Sequence, residues 1–340
     1  MTALLELPVP REEVARLAEN AMKRAGASEE VAELLVDAAL FAEDRGMRGV
    51  GVAHLLDYLH AIDDGRLDAA AIPTVDRLAP AILSCNAHGG PFHTGFGAAI
   101  DDLVAAARSE GVAMFLQSGA FAGGQLGWFT ERLSTHGLVA LGAINSNALL
   151  ATAPGTGRVL GTNPMSYSFP RPAGEVMTVD QSSSAAAYVN VREAAAHGRP
   201  IPEGWAIDAA GKPTTDPEAA LDGAMLPFGG YKGANIAWMV ELLAGMSGGN
   251  WSIDAPSFDA GAENPGVGMF ILAIDVSKLQ HDFVSRADAH VCRLGAQGVR
   301  TPGTSRVEPL SVISLRTNVI EALRARAAKQ FPTNHQGARS

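Results

Sequence analysis

Leu226-Pro227-Phe228-Gly229-Gly230-Tyr231-Lys232-Gly233 runs straight into a strongly apolar helical stretch, Asn235 to Leu243. Glycines let backbone approach a ligand closely, and one lysine at a helix start supplies a point charge for phosphate. The run is not a P-loop, because its spacing is wrong and neither Ser nor Thr follows the lysine. Nor does any of the 37 glycines complete Gly-x-Gly-x-x-Gly between a strand and a helix; the clusters Gly46 to Gly51 and Gly245 to Gly249 fall at helix ends. The pattern therefore argues against a standard dinucleotide domain. Taken alone, the run reads equally as a glycine turn with a surface lysine.

Two stretches upstream carry similar chemistry. Leu160-Gly161-Thr162-Asn163-Pro164 follows Asn145-Ser146, which ends a strand. Such residues either offer donors to a phosphate or carboxamide, or simply make a tight turn. In Val179-Asp180-Gln181-Ser182-Ser183-Ser184 a carboxylate precedes consecutive hydroxyls at a strand-to-helix junction. That arrangement suits a polar ligand at a helix N-terminus, or an N-cap followed by solvated serines.

Outward from these stretches the periodicity is mixed. Helical spacing covers the first third: Val14, Leu17, Ala18 and Ala21 after Pro10, then Val31, Leu34, Leu35 and Ala38 after Ser28, then Val52 to Ile62. From about Ile82 helices and short apolar strands alternate. Gly97 to Ser109, Gln125 to Thr135 and Ser184 to Ala196 read as helices. Val112 to Gln117, Leu138 to Ile144, Ser166 to Phe169, Val176 to Val179 and Met269 to Ile274 read as strands. Helices then resume. This predicts an α/β chain with a discontinuous helical domain, residues 1–80 and 280–340, around an α/β region, 81–279, that carries a small inserted subdomain.

Composition narrows the classes. Hydrophobic content of 47% with 18% charge fits a compact soluble enzyme. A net charge of -10 with dispersed basic residues argues against nucleic acid. No apolar run reaches the ~20 residues that span a bilayer. Residues 1–11 lack signal-peptide character, so a cytoplasmic location is expected. Cys85 and Cys292 form no disulfide framework, and His60, His136, His197, His281 and His290 show no metal-ligand spacing. No metal is expected, and no Gly-x-Ser-x-Gly elbow supports hydrolase chemistry.

Taken in order, and with Gly198 to Asp208 and Lys212-Pro213-Thr214-Thr215-Asp216-Pro217 between them, these stretches resemble the malate/L-lactate dehydrogenase family that is not Rossmann-like. That family includes ureidoglycolate and sulfolactate dehydrogenases and the reductases of piperideine-2-carboxylate and pyrroline-2-carboxylate. The resemblance runs from about Glu12 to Arg306. It implies a central mixed sheet, a homodimer with its active site at or near the subunit interface, and an NAD(P)H cofactor. It also implies that Asp180, Gln181, Ser182, Ser183, Tyr231, Lys232, Gly233, Pro302, Gly303 and Thr304 line the cofactor site, with Ser146 and Thr162 nearby.

The departures bear on the reaction. Where the family carries Arg-Gly-x-x-Ser-His-Gly-x-x-Arg, this chain has Arg45-Gly46-Met47-Arg48-Gly49-Val50-Gly51-Val52-Ala53-His54. Val50 stands at the histidine position, and Ala120 stands where a second histidine is common. A positioned acid contributes about 10²–10⁴-fold to ketone reduction, whereas a protonated imine already carries its proton. The expected reaction is hydride reduction of the C=N, or C=O, bond of a small 2-imino or 2-oxo acid. A non-redox step (isomerisation or elimination) and a catalytically silent homologue are the alternatives. His54, Arg48 and Asp180 are the candidate catalytic residues, with His88, His93 and Tyr188 as other possible acids.

Overall fold

The computed structural model describes residues 6–153, 156–303 and 308–328, so Thr304 lies outside the described residues. Strand β1 (Glu6–Pro10) is followed by helices α1 (Arg11–Arg24), α2 (Glu29–Asp44) and α3 (Leu55–Asp63). Two 3-10 turns, Arg48–Val50 and Val52–His54, join the last two helices. Next come β2 (Thr74–Ala79), β3 (Ile82–Asn86), α4 (Phe92–Glu110), β4 (Val112–Ala120), α5 (Gly127–Thr135), β5 (Val139–Ile144), β6 (Met165–Pro170) and β7 (Val176–Gln181). They lead into α6 (Tyr188–Ala196), β8 (Ala206–Ile207), β9 (Pro213–Thr214), α7 (Pro217–Asp222), β10 (Ala224–Met225) and α8 (Tyr231–Gly245). The last described elements are β11 (Val267–Ile274), α9 (Phe283–Ala296), β12 (Val312–Arg316) and α10 (Thr317–Ala328).

The apolar run of β11 is the centre of a mixed sheet ordered β2-β3-β4-β11-β5-β6-β7. Only β3 and β4 pair in parallel; the other pairs are antiparallel. Both faces of β11 are covered, which is why its sequence is continuously hydrophobic rather than alternating. On one face α4 and α5 bring Phe92, Phe96, Trp128 and Phe129 against Phe115 and Ile271. On the other, Val240 of α8 meets Leu116, Ala143 and Phe270.

A second core joins residues from the two ends of the chain. Val14, Leu35, Leu55 and Leu59 pack with Ile313, Ile320 and Leu323, and β1 pairs antiparallel with β12. A third, small core lies around Val191, Ile201, Ala206 and Met225, under the three-stranded sheet β10-β8-β9.

The structure departs from the periodicity in several places, among them three that bear on the site and the terminal core. Pro10 ends a strand instead of opening a helix, and β12 interrupts the helical C-terminal region. Residues 184–187 are not helical, because Ser184 Oγ donates to the Ala186 carbonyl at 2.6 Å and so competes with helical backbone pairing.

Candidate active site

The three polar stretches converge. The Ser183 N–H donates to the Thr162 carbonyl at 2.7 Å, and its hydroxyl donates to the Asn163 carbonyl at 2.8 Å. The Phe228 N–H donates to the Ser183 carbonyl at 3.1 Å, and the Gly233 N–H to the Phe228 carbonyl at 3.0 Å. Gly161 is required here, since a Cβ would stand 2.5 Å from Ser146 Oγ and 2.7 Å from the Ser146 carbonyl oxygen.

A cavity of about 300 Å³ opens beside this junction, where β5 and β7 end and α6 begins. Phe121, Ile144, Pro164 and Val267 make an apolar wall; Asn145, Ser146, Asn147, Thr162, Asp180, Gln181 and Ser182 supply polar groups. Asn147 Oδ1 is buried there with no partner in the protein. Pro302 and Gly303 line an adjoining cleft of about 900 Å³ that shares Gln125, Asp180 and Gln181 with the cavity. Gly303 lies so close on β7 that a Cβ would fall 2.0 Å from the Thr178 carbonyl oxygen. Ser183 is buried behind the wall, Gly233 is buried under the glycine turn, and Tyr231 and Lys232 are exposed beyond it. Tyr231, Lys232 and Gly233 are thus not among the lining residues of this cavity.

Asp180 has the most perturbed chemistry on the wall. Desolvation pushes its carboxyl up to about 6, against the opposing effect of the Gly127 N–H, which donates to Oδ2 at 2.7 Å from the start of α5. His54 lines the same cavity and is held by Asp57, one turn later, at 2.8 Å from Nδ1. Asp57 in turn accepts Arg192 of α6 at 3.1 Å on both oxygens. Burial opposes charge on Asp57, but the His54 and Arg192 interactions outweigh it and hold the carboxyl below its ordinary value.

Arg48 is not brought into the cavity. It pairs with Glu6 at 2.7 Å and with the Ser314 carbonyl, and lines a neighbouring cleft with Arg192 and Arg316. His88 is exposed and bonded to Thr74 Oγ1 at 2.9 Å. His93 is buried between Trp128 and Phe129. Tyr188 reaches the wall, with its hydroxyl 3.3 Å from Asp259 Oδ2. Val50 also lines the wall, and Ala120 is fully buried at the end of β4.

The malate/L-lactate dehydrogenase profile matches residues 9–309. The chain belongs to that family. It is 34% identical over 301 residues to a Δ1-pyrroline-2-carboxylate reductase of Pseudomonas fluorescens, covering 87% of this chain and 90% of that one. It is likewise 34% identical to the (2R)-3-sulfolactate dehydrogenase (NADP+) of Chromohalobacter salexigens, covering 94% and 97%. The crystal structure of Δ1-piperideine-2-carboxylate reductase from Pseudomonas syringae pv. tomato superposes with a TM-score of 0.86 at 32% identity, over 94% of this chain and 99% of that one.

For a malate/L-lactate dehydrogenase family member the site suits a nicotinamide dinucleotide. The cavity offers an apolar wall for a ring, the unpartnered Asn147 amide oxygen for a carboxamide, and the adjoining cleft for the rest of an extended ligand. The sequence reading missed Asp57, Arg192 and Gln125. Asp57 had a signal, its i,i+3 spacing from His54 on one helical face. Arg192 lies 135 residues from Asp57, so only the fold pairs them.

Proposed function

We propose that the protein is an NAD(P)H-dependent reductase of small cyclic 2-imino carboxylates, the substrate class named for its Pseudomonas relatives. The observation that carries this reading is the cavity wall itself. Val50 occupies the position where the resemblance expects a histidine, and the titratable groups that remain there are His54, Asp180 and Tyr188.

A bound nicotinamide dinucleotide supplies the hydride. Ser146, Thr162, Gln181 and Ser182 are the residues that would hold it, with Pro302 and Gly303 along the cleft. The apolar wall keeps water from the reacting carbon. Asp180 is the electrostatic element: above about pH 6 its carboxylate is anionic with one N–H partner, which favours a cation beside it. A protonated imine is such a cation, and it already holds the proton that a ketone must obtain from an acid. His54, oriented by Asp57 and Arg192, faces the same space and presents its other ring nitrogen to a substrate carboxylate.

The test compares single-turnover rates for Δ1-pyrroline-2-carboxylate and Δ1-piperideine-2-carboxylate with those for 2-oxo acids of matched size, using NADH and NADPH in turn. Faster reduction of the oxo acids would overturn the reading.

A homodimer is part of this proposal. Tyr231, Trp238 and Leu242 on α8 and Met246 at its C-cap fall on one side of the helix, each at least 50% exposed. A contiguous apolar stripe of this kind marks an interaction surface.

A further inference from the structure

Three buried polar side chains meet behind the cavity wall. Tyr58 Oη, both ring nitrogens of His93 and Gln125 Oε1 are buried and find no hydrogen-bond partner in the protein. Their residues are 3%, 1% and 6% exposed, and all three line a separate cavity of about 10 Å³. His54, whose Nδ1 is held by Asp57, also lines it, and the remaining walls are aliphatic side chains and glycines, with Leu35, Ala38 and Val50 among them. Tyr58 Oη lies 3.6 Å from where a Cβ on Gly124 would stand, which places it beside Gln125's neighbour. His93 is clamped with its ring centroid 4.9 Å from those of both Trp128 and Phe129. Burial depresses it to about 3, so it is neutral and offers one donor and one acceptor.

We propose that this small cavity is a built site for one water molecule, and that the water fixes the Gln125 amide with its oxygen inward and its NH2 group toward the main cavity. The volume matches a single water, which requires about 10–15 Å³ and two to four polar partners. Tyr58 and His93 can each donate to it, and it can donate to Gln125 Oε1. Leaving those groups bare costs their full desolvation, whereas ordering one water costs less. Gln125 is the junction, because it lines the small cavity, the main cavity and the adjoining cleft. An amide free to turn offers an anion its oxygen as readily as its nitrogen. A fixed one offers two N–H donors to the substrate carboxylate, an assignment of the anion that rests on the imino-acid reading. Tyr58 and His93 are then positioning residues, acting through the water and Gln125.

A crystal structure of the wild-type protein, at a resolution that shows ordered waters, tests the site directly. One water within hydrogen-bond distance of Tyr58 Oη, His93 and Gln125 Oε1 is expected; a dry cavity overturns the proposal. Kinetics test its consequence. Tyr58→Phe and Gln125→Leu should each raise KM for the imino acid about tenfold, with kcat and the cofactor Kd nearly unchanged. The double variant should be no worse than Gln125→Leu alone, since both act through one contact. A Tyr58→Phe variant with wild-type KM refutes the positioning role. If the wild type reduced no imino acid, the functional reading would fall, and the water density would still decide the site.

Discussion

In the proposed reaction Asp180 would tie stability and chemistry to one carboxyl. Its ordinary value is 3.8, and in the folded chain it is about 6. Between those values the folded protein keeps a proton that the unfolded chain has released. Stability from this group is therefore full below about pH 4 and is lost as pH rises towards 6 and above. A shift of two units corresponds to about 3 kcal/mol. Asp180→Asn should remove that slope, so urea melts across pH 4–8 should show the variant gaining on the wild type as pH rises. Equal slopes in the two proteins would show that Asp180 is not the group responsible. In activity the variant should move the other way. It loses the anion facing the imine, so kcat/KM for the imino acid should drop about 10²-fold at pH 7.5, and the wild type's own decline below pH 6 should vanish. Asp57→Asn probes the His54–Asp57 pair. His54 would lose its charged partner at Nδ1, and kcat/KM should fall roughly ten- to a hundredfold, the size of one charge-assisted hydrogen bond of about 1.5–3 kcal/mol. Unchanged kinetics would take His54 out of the reaction.

At the level of elements, the tight turn at Gly161 sets the strand end that carries Ser146 against Thr162 and Asn163. Gly161→Ala drives a methyl into Ser146 backbone and hydroxyl, both within 2.7 Å, so the turn must open. We expect about 1–3 kcal/mol of lost stability in denaturant titration and a cofactor affinity weakened at least tenfold. Wild-type cofactor affinity in a folded Gly161→Ala protein would disconnect this turn from the ligand. The elements legible in the sequence were those with an unbroken apolar run or a clear helical stripe. β5 and β11 are covered on both sides and read as apolar runs, α1 and α2 bury one stripe each, and the apolar stretch Asn235 to Leu243 gave the middle of α8 but not its first turn. β2, with Thr74-Val75-Asp76-Arg77-Leu78-Ala79 mostly exposed at the sheet edge, carries no alternation to read. β8, β9 and β10 are two residues each and exist only through pairing with one another. The site followed the same division. Polar residues that end apolar strands, such as Asn145 and Asp180, stood out. Gln125, in the loop between β4 and α5, looks like any surface glutamine until the fold buries it.

For the whole molecule, α8 is the element that would couple the proposed dimer to the site. Its inner face supplies Ala237, Val240 and Ala244 to the core. Its outer face leaves Trp238 50% and Leu242 57% exposed, an arrangement that costs solubility unless a second surface covers it. The same helix begins at the glycine turn whose Phe228 N–H is bonded to Ser183. Covering α8 would therefore add to the contacts that already tie this loop to Ser183, Ala185 and Trp205. The proposed occupant is a second copy of the chain, since identical copies can pair through matching patches. Sedimentation of the wild type should accordingly give twice the 35.3 kDa chain mass. Trp238→Glu with Leu242→Glu places two charges in the stripe without touching the inner face, so the variant should sediment at the chain mass with its far-UV spectrum intact. Its cofactor affinity should fall together with the loss of the dimer. A wild type that sediments as a monomer at micromolar concentration, or a charged variant that remains a dimer, would remove α8 from the interface.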